Sequence, residues 1–178
     1  WELTGSANYA VVNSQFGYGG LNSRHNAEVS YTSPNWGGLN VTVGHLFAAN
    51  NGNVAKNDVN LIYRAGPLSA ALVYNKLDNK GKNLSLGAAY NFGSFKLAGS
   101  LQDATGANLG KGFTVGGTLP LGNLSLTLDV ARDTRNKDTD TLLEAKYALS
   151  KRTSVYGVLL HNGAGKAAKS VNSTIVGL

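Results

Sequence analysis

The chain has 178 residues, including 23 Gly but no Cys or Met, with charged residues at only 15% and a formal net charge of +6. The lack of Cys excludes disulfides, thiolate nucleophiles and Cys-ligated metals, and the basic residues are scattered rather than blocked, so nucleic acid is not an expected partner. No apolar run approaches the ~20 residues of a membrane helix, a test that is blind to strands, which cross in roughly ten alternating residues.

Residues 1–25, "WELTGSANYAVVNSQFGYGGLNSRH", keep no period and read as a Gly/Asn-rich loop segment. From residue 26 onward a period of two sets in, the signature of strands with one apolar and one polar face. The first two predicted strands, centred near Val29 and Val41, flank a Pro34–Gly38 turn. After "AANNGNVAKN" come strands near Leu61 and Leu72, joined at Ala65–Pro67. "KLDNKGK" leads to strands near Leu86 and Leu97, joined at Gly93 and Ser94. "DATGANLGK" leads to strands near Val115 and Leu126, joined at Gly122 and Asn123. "RDTRNKDTD" precedes strands near Ala145 and Val155, joined at Ser150–Arg152, and "HNGAGKAAKSVN" precedes a last strand near Val176.

Short turns thus alternate with longer polar connections. In an up-and-down antiparallel meander successive connections fall on opposite ends of the strands, so this beat predicts such a meander, whereas a Greek-key sandwich mixes its connection types. The predicted fold class is all-β, with a loop segment at residues 1–25 and a barrel segment at residues 26–178.

One face of these strands carries Leu, Val, Tyr and Phe. The other carries Ser, Thr, Asn, Gly and charges including Glu28, Lys96, Asp129, Glu144 and Lys146. If the polar face lines a barrel filled with water, the apolar face meets lipid, and the mean hydropathy of only −0.13 follows because lipid-facing residues are diluted by lumen-facing ones. Tyr31, Trp36, Tyr63, Tyr90, Phe92, Phe95 and Tyr147 lie beside the short turns, and Phe47, Tyr74 and Phe113 near the long connections. Those are the heights at which interfacial aromatic girdles belong.

The stretch "SRHNAEVSYTSPNWGGLNVTVGHLF", with "GPLSAALVY", "LSLGAAYNFGSFKLAGSL" and "YALSKRTSVYGVLL", resembles the Gram-negative trimeric general porins from about residue 23 to 160. The resemblance implies a sixteen-stranded transmembrane β-barrel of which this chain holds about eleven strands, a homotrimer in the outer membrane among lipid and lipopolysaccharide, and passive diffusion of ions and small hydrophilic solutes. It also implies that residues 1–22 are the latter part of a loop that folds into the lumen, with Arg24 on the wall facing the constriction and Glu2 an acidic loop residue. The family's first five strands, its signal peptide and its terminal aromatic have no counterpart here. An open sheet would leave two unpaired edges in the bilayer, so the sequence reads as part of a longer chain.

No catalytic, metal or cofactor site is expected. His25, His45 and His161 have no ligand spacing, and His45 falls in phase with the lipid-facing residues. "GYGG" lacks the strand-to-helix context of a phosphate cradle, and no nucleophile elbow surrounds any Ser. Asp129, Glu144 and Lys146 read as a charge network on a pore wall rather than an acid/base set. The excess of basic residues suggests weak anion preference, set more by Arg24, Lys96 and Lys146 near the narrow part than by Lys56, Lys76, Lys80, Lys82, Arg135 and Lys137, which are read as loop charges screened within about 8 Å. The alternatives are an outer-membrane barrel enzyme, which would require a His-centred catalytic group, and a soluble carbohydrate-binding β-sandwich.

Overall fold

The computed structural model describes residues 26–106, 110–164 and 169–178. The strands run β1 (Glu28–Thr32), β2 (Leu39–Leu46), β3 (Lys56–Ala65), β4 (Leu68–Leu77), β5 (Gly81–Asn91), β6 (Lys96–Gly106), β7 (Lys111–Leu121), β8 (Leu124–Asp133), β9 (Asp138–Ala148), β10 (Ser154–Asn162) and β11 (Val171–Gly177). Among the described residues they form one antiparallel sheet in which each strand pairs only with its sequence neighbours, in the order β1 to β11. That strictly sequential order is the predicted meander and excludes the Greek-key sandwich. Apart from a 3-10 turn at Ala48–Asn50, no helix lies among the described residues, and none is long and apolar enough to cross a membrane.

The short connections are where the sequence places them, and their chemistry is explicit. In the first hairpin Trp36 and Leu39 exchange backbone hydrogen bonds of 2.8 and 3.2 Å around Gly37 and Gly38, both at positive φ (61° and 100°). Two successive positive-φ residues match the twist of antiparallel strands. Asn35 Oδ1 accepts the Gly38 N–H at 2.8 Å, and Ser33 Oγ accepts the Val41 N–H at 2.9 Å. A side chain on Gly38 would meet the Arg64 carbonyl oxygen at 2.5 Å, so only Gly fits.

The expected long connections are corrected in part. Pairing runs deep into three of the polar segments: Lys76 faces Lys82, Asp103 faces Lys111, and Asp133 faces Asp138. The connection after β4 shrinks to residues 78–80 and that after β8 to residues 134–137. The reason is local. Asp133 Oδ1 accepts the N–H groups of Arg135 and Asn136 at 2.8 and 3.0 Å, and Oδ2 the Asn136 amide at 2.6 Å, so its carboxylate closes a tight turn from within a segment that reads as loop by composition alone.

The two faces are not equivalent. On β5 Lys82, Leu84, Leu86, Ala88 and Tyr90 are exposed, while Gly87 and Ala89 between them are buried, and the same alternation holds along β8 and β9. The exposed parity, called outer, carries the large apolar side chains, among them Leu84, Leu97, Leu101, Val115, Leu128 and Leu143. The buried parity, called inner, carries Ala71, Ala89, Ala98, Ala104, Thr114, Thr127 and most of the acids. Bulky apolar groups outside and small or polar groups packed inside reverse the pattern of a soluble β protein. The inner face is not wholly polar, however. Leu142 and Val158 are fully buried there beside Ala131, with Tyr156, Leu160 and Ile175 packed against them. Leu142–Leu143 and Leu159–Leu160 are adjacent apolar pairs, so one member of each must point inward.

Candidate functional site: the inner wall

Register brings inner-face residues into rows across neighbouring strands. One row runs Asn91, Lys96, Thr118, Thr127, Glu144, Val158 and Ile175 over β5 to β11. Lys96 and Glu144 therefore share a row three strands apart, roughly 14 Å at the usual strand spacing. Between them Thr118 and Thr127 join hydroxyls at 3.0 Å. Similar cross-strand pairs, Thr32 with Thr42 at 2.9 Å and Ser100 with Thr114 at 2.6 Å, tie other parts of the wall. Each such pair contributes roughly 0.2–1 kcal/mol while leaving the surface wettable.

Of the residues singled out from sequence, Lys96, Asp129, Glu144 and Lys146 all take the inner parity, as does Glu28 on the edge strand β1, opposite Leu46. Asp129 faces Leu142, and Glu144 is two residues farther along the same face, so the two carboxylates are diagonal neighbours, with Lys146 two residues beyond Glu144. Asp129, Glu144 and Lys146 thus share one face of β8 and β9, and Lys96 lies in the row of Glu144. Glu28 lies far along the sheet from this group. Arg24, Glu2 and His25 lie outside the described residues.

Sequence reading missed four inner residues. Lys56, read as a loop charge, is the first residue of β3 and forms a largely buried ion pair with Asp58 at 2.7 Å. Arg64 takes the inner parity on β3, and Asp140, on β9, accepts the Gly163 N–H at 2.8 Å. Arg64 was legible, since Leu61 and Tyr63 fix the phase of β3. Asp140 was not, because its segment looked like a turn. Lys76 and Lys82, also read as loop charges, are strand residues on the outer parity.

Charge on this wall is partly segregated along the strands, with Glu144 in the Lys96 row and Lys56 beside Asp58 as exceptions. Arg64, Lys96 and Lys146 lie toward the short-turn end, whereas Glu28, Asp58, Asp133, Asp138 and Asp140 lie toward the other end. Among the described residues no group of His, Asp and Glu could hold a metal ion. His45 and His161 take the outer parity and bond Asn57 and Asn172 at 2.9 and 2.7 Å. Among the described residues the arrangement offers fixed charges and hydroxyls along one face, and the two His side chains lie on the other.

Residues 1–165 match the Gram-negative porin family. The chain belongs to that family. It is 31% identical over 160 residues to the outer membrane porin protein 32 of Delftia acidovorans, covering 76% of this chain and 46% of the relative. The anion-selective porin from Comamonas acidovorans is 27% identical, with a TM-score of 0.59 over 78% of this chain and 49% of that one. A porin of Rhodopseudomonas blastica superposes with a TM-score of 0.69 at 16% identity, covering 84% of this chain and 53% of that one, a likeness of fold alone. This porin chain thus spans about half the length of the relatives it matches. Its membership places it in the outer membrane of a Gram-negative bacterium, in a family of channels rather than enzymes, and explains why the outer face is apolar.

Proposed function

We propose that the whole protein is a water-filled channel for passive diffusion of small hydrophilic solutes and ions across the outer membrane, weakly anion-preferring and assembled as a homotrimer. The observation that carries this reading is the sustained inversion of faces over eleven sequentially paired strands, with lipid-compatible side chains outside and a hydroxyl- and charge-bearing wall inside. A low-dielectric wall focuses the field of its fixed charges into the aqueous path, so these charges bias which ions enter.

Anion preference is supported by the likeness to a porin named as anion-selective and by the cations Arg64, Lys96 and Lys146 gathered at one end of the wall. The carboxylates act less strongly than their number suggests: Asp58 is neutralised by Lys56, and Asp133 is turned into a connection. Reversal potentials in a salt gradient across a planar bilayer test this reading. The full-length channel is expected to favour chloride, and Lys96→Glu to lower the anion-to-cation ratio about threefold through a screened two-charge change some 8 Å from a passing ion. A cation-preferring wild type would overturn it.

Residues 1–25, with Glu2 and Arg24, are proposed to be the constriction-type segment. The family match reaches residue 1, and residues 1–25 keep none of the strand period that begins at residue 26. Because the chain has no Cys, Arg24→Cys gives a unique thiol. Its reaction with a water-soluble charged reagent should cut single-channel conductance, and unchanged conductance after complete labelling would count against the assignment.

A further inference from the structure

Where residues 1–25 enter the sheet, the ladder between β1 and β2 is finished by a side chain. Glu28 pairs with Leu46 and, one step farther, the Phe47 N–H donates to the Ala27 carbonyl at 3.2 Å. In register the next rung would join Asn26 to Ala48, but Ala48 begins the 3-10 turn and Ala27 has left the strand conformation, at φ 51°. The Asn51 carboxamide closes the gap. Its Oδ1 accepts the Asn26 N–H at 3.1 Å, and its Nδ2 donates to the Asn26 carbonyl at 2.7 Å and to the Phe47 carbonyl at 2.9 Å. A carboxamide carries the same donor and acceptor as a peptide group, so Asn51 stands in for the missing rung.

The clasp sets a direction as well as adding bonds. Both backbone groups of Asn26 are held, which fixes the peptide planes on either side of that residue. Asn51 is itself fixed, its N–H on the Ala48 carbonyl at 2.9 Å and its carbonyl on the Val54 N–H at 3.2 Å. Ala27 is one of four described non-glycine residues at positive φ, and the other three, Asn53, Asn79 and Lys137, lie in connections between paired strands. Such a backbone is unfavourable for an L side chain and persists only where its neighbours hold it. Here the neighbours that hold it are Phe47 and Asn51.

The geometry points to Asn51 as a positioning residue for Arg24, two residues before the clasped Asn26, and so as a determinant of the channel's anion preference. This rests on the reading of residues 1–25 as the constriction-type segment. Without the carboxamide the Asn26 peptides are free to turn and Ala27 relaxes to negative φ, so the chain is no longer aimed and the guanidinium is no longer held near the ion path. The displacement matters because one screened unit charge about 8 Å from a passing ion supports an anion-to-cation ratio of about two.

The test measures reversal potentials of the full-length channel in a salt gradient for Asn51→Ala, Arg24→Gln and the double variant. Each single change should lower the anion-to-cation ratio about twofold, and the double variant no further than either, because both remove the same charge from the same place. Ala27→Gly, added to Asn51→Ala, should restore part of the lost ratio, since Gly keeps positive φ without strain. Asn50→Ala, one residue away with an exposed side chain, should match wild type. Heat-modifiable migration should be that of wild type in every variant, because the clasp joins an exposed Asn26 to a half-buried Asn51. A wild-type ratio in Asn51→Ala, loss of its folded migration, independent losses that multiply to about fourfold in the double variant, or an equal loss in Asn50→Ala would each overturn the positioning role. Arg24→Gln separates the two failures: if it lowers the ratio while Asn51→Ala does not, only the clasp fails, and if it leaves the ratio unchanged, the constriction reading fails with it.

Discussion

The two ends of this sheet are built to different rules. At the short-turn end the outer face closes in rings: Tyr90 against Phe92 at 4.7 Å between centroids, Phe92 stacked on Phe95 at 4.6 Å, and Trp36, Tyr31 and Tyr147 exposed nearby. At the other end rings are fewer, Phe47 edge-on to His45 at 4.9 Å and Phe113 exposed, and the outer face closes mainly in charges and polar pairs, Lys76 and Lys82, Lys111 with Asp103, His45 with Asn57 and His161 with Asn172. Inside, the balance reverses, with Arg64, Lys96 and Lys146 toward the turn end beside Glu144, and most of the carboxylates toward the loop end with Lys56. A wall between identical media would not need ends that differ. The difference teaches that the two ends suit different surroundings: aromatic rings suit a boundary met by an apolar body with a polar tip, whereas charged and polar pairs suit water.

The largest test moves the cationic rim into the apolar band. Leu101→Arg places a charge on the middle of the outer face, where 60% of the Leu101 side chain is open to its surroundings, and should cost roughly 2–4 kcal/mol in reversible unfolding from lipid vesicles. Thr105→Arg, four residues along the same face of β6 at the rim, should cost about 0–1 kcal/mol. Equal costs at the two heights would mean that the outer face has no apolar middle, and the contrast between ends would lose its basis.

Next comes the turn end itself. Gly38→Ala imposes a left-handed backbone on a Cβ and drives it against the Arg64 carbonyl, so a loss of about 2 kcal/mol is expected. The loop-end counterpart, Gly52→Ala, has open space around its Cβ and keeps only the conformational cost, about 1 kcal/mol. Urea unfolding of both variants, read by heat-modifiable migration, shows whether the tight hairpins are the more demanding connections.

What the sequence made legible follows the same division. The turn end was readable to within a residue at each side because Pro-Asn-Trp-Gly-Gly, Gly-Pro and Gly-Asn are turn chemistry, and a two-residue connection fixes the register of both its strands. The loop end was misread where composition and pairing disagree: "RDTRNKDTD" is polar throughout, yet Asp133 folds it into a turn and leaves Asp138 and Asp140 in a strand. The face assignment held wherever single apolar residues alternated, as in Leu84, Leu86 and Ala88, and lost its power at Leu142–Leu143 and Leu159–Leu160, where the period of two has no unique phase. Among the site residues, phase alone placed Lys96, Asp129, Glu144 and Lys146 on the wall. It could not reveal that Lys96 and Glu144 share a row, because register across three hairpins is the sum of three turn geometries.

The smallest effects decide what seals each rim. Phe92→Ala removes a ring that touches both Tyr90 and Phe95, and aromatic pairs contribute about 0.5–1.5 kcal/mol beyond their buried area. A loss of about 1 kcal/mol is therefore expected. Asn172→Ala removes the partner of the His161 ring at a rim where water can replace it, and a loss of about 0.5 kcal/mol is expected, the low end for a hydrogen bond. The order matters more than the sizes. If the aromatic cluster stabilises by packing at a lipid boundary, Phe92→Ala should weaken the protein in vesicles and much less in detergent, whose smaller headgroup layer the rings do not need to span. Asn172→Ala should behave alike in both, since its loss is local. Measuring the two variants in the two media therefore tests whether the turn-end rings meet a bilayer, independently of any current through the pore.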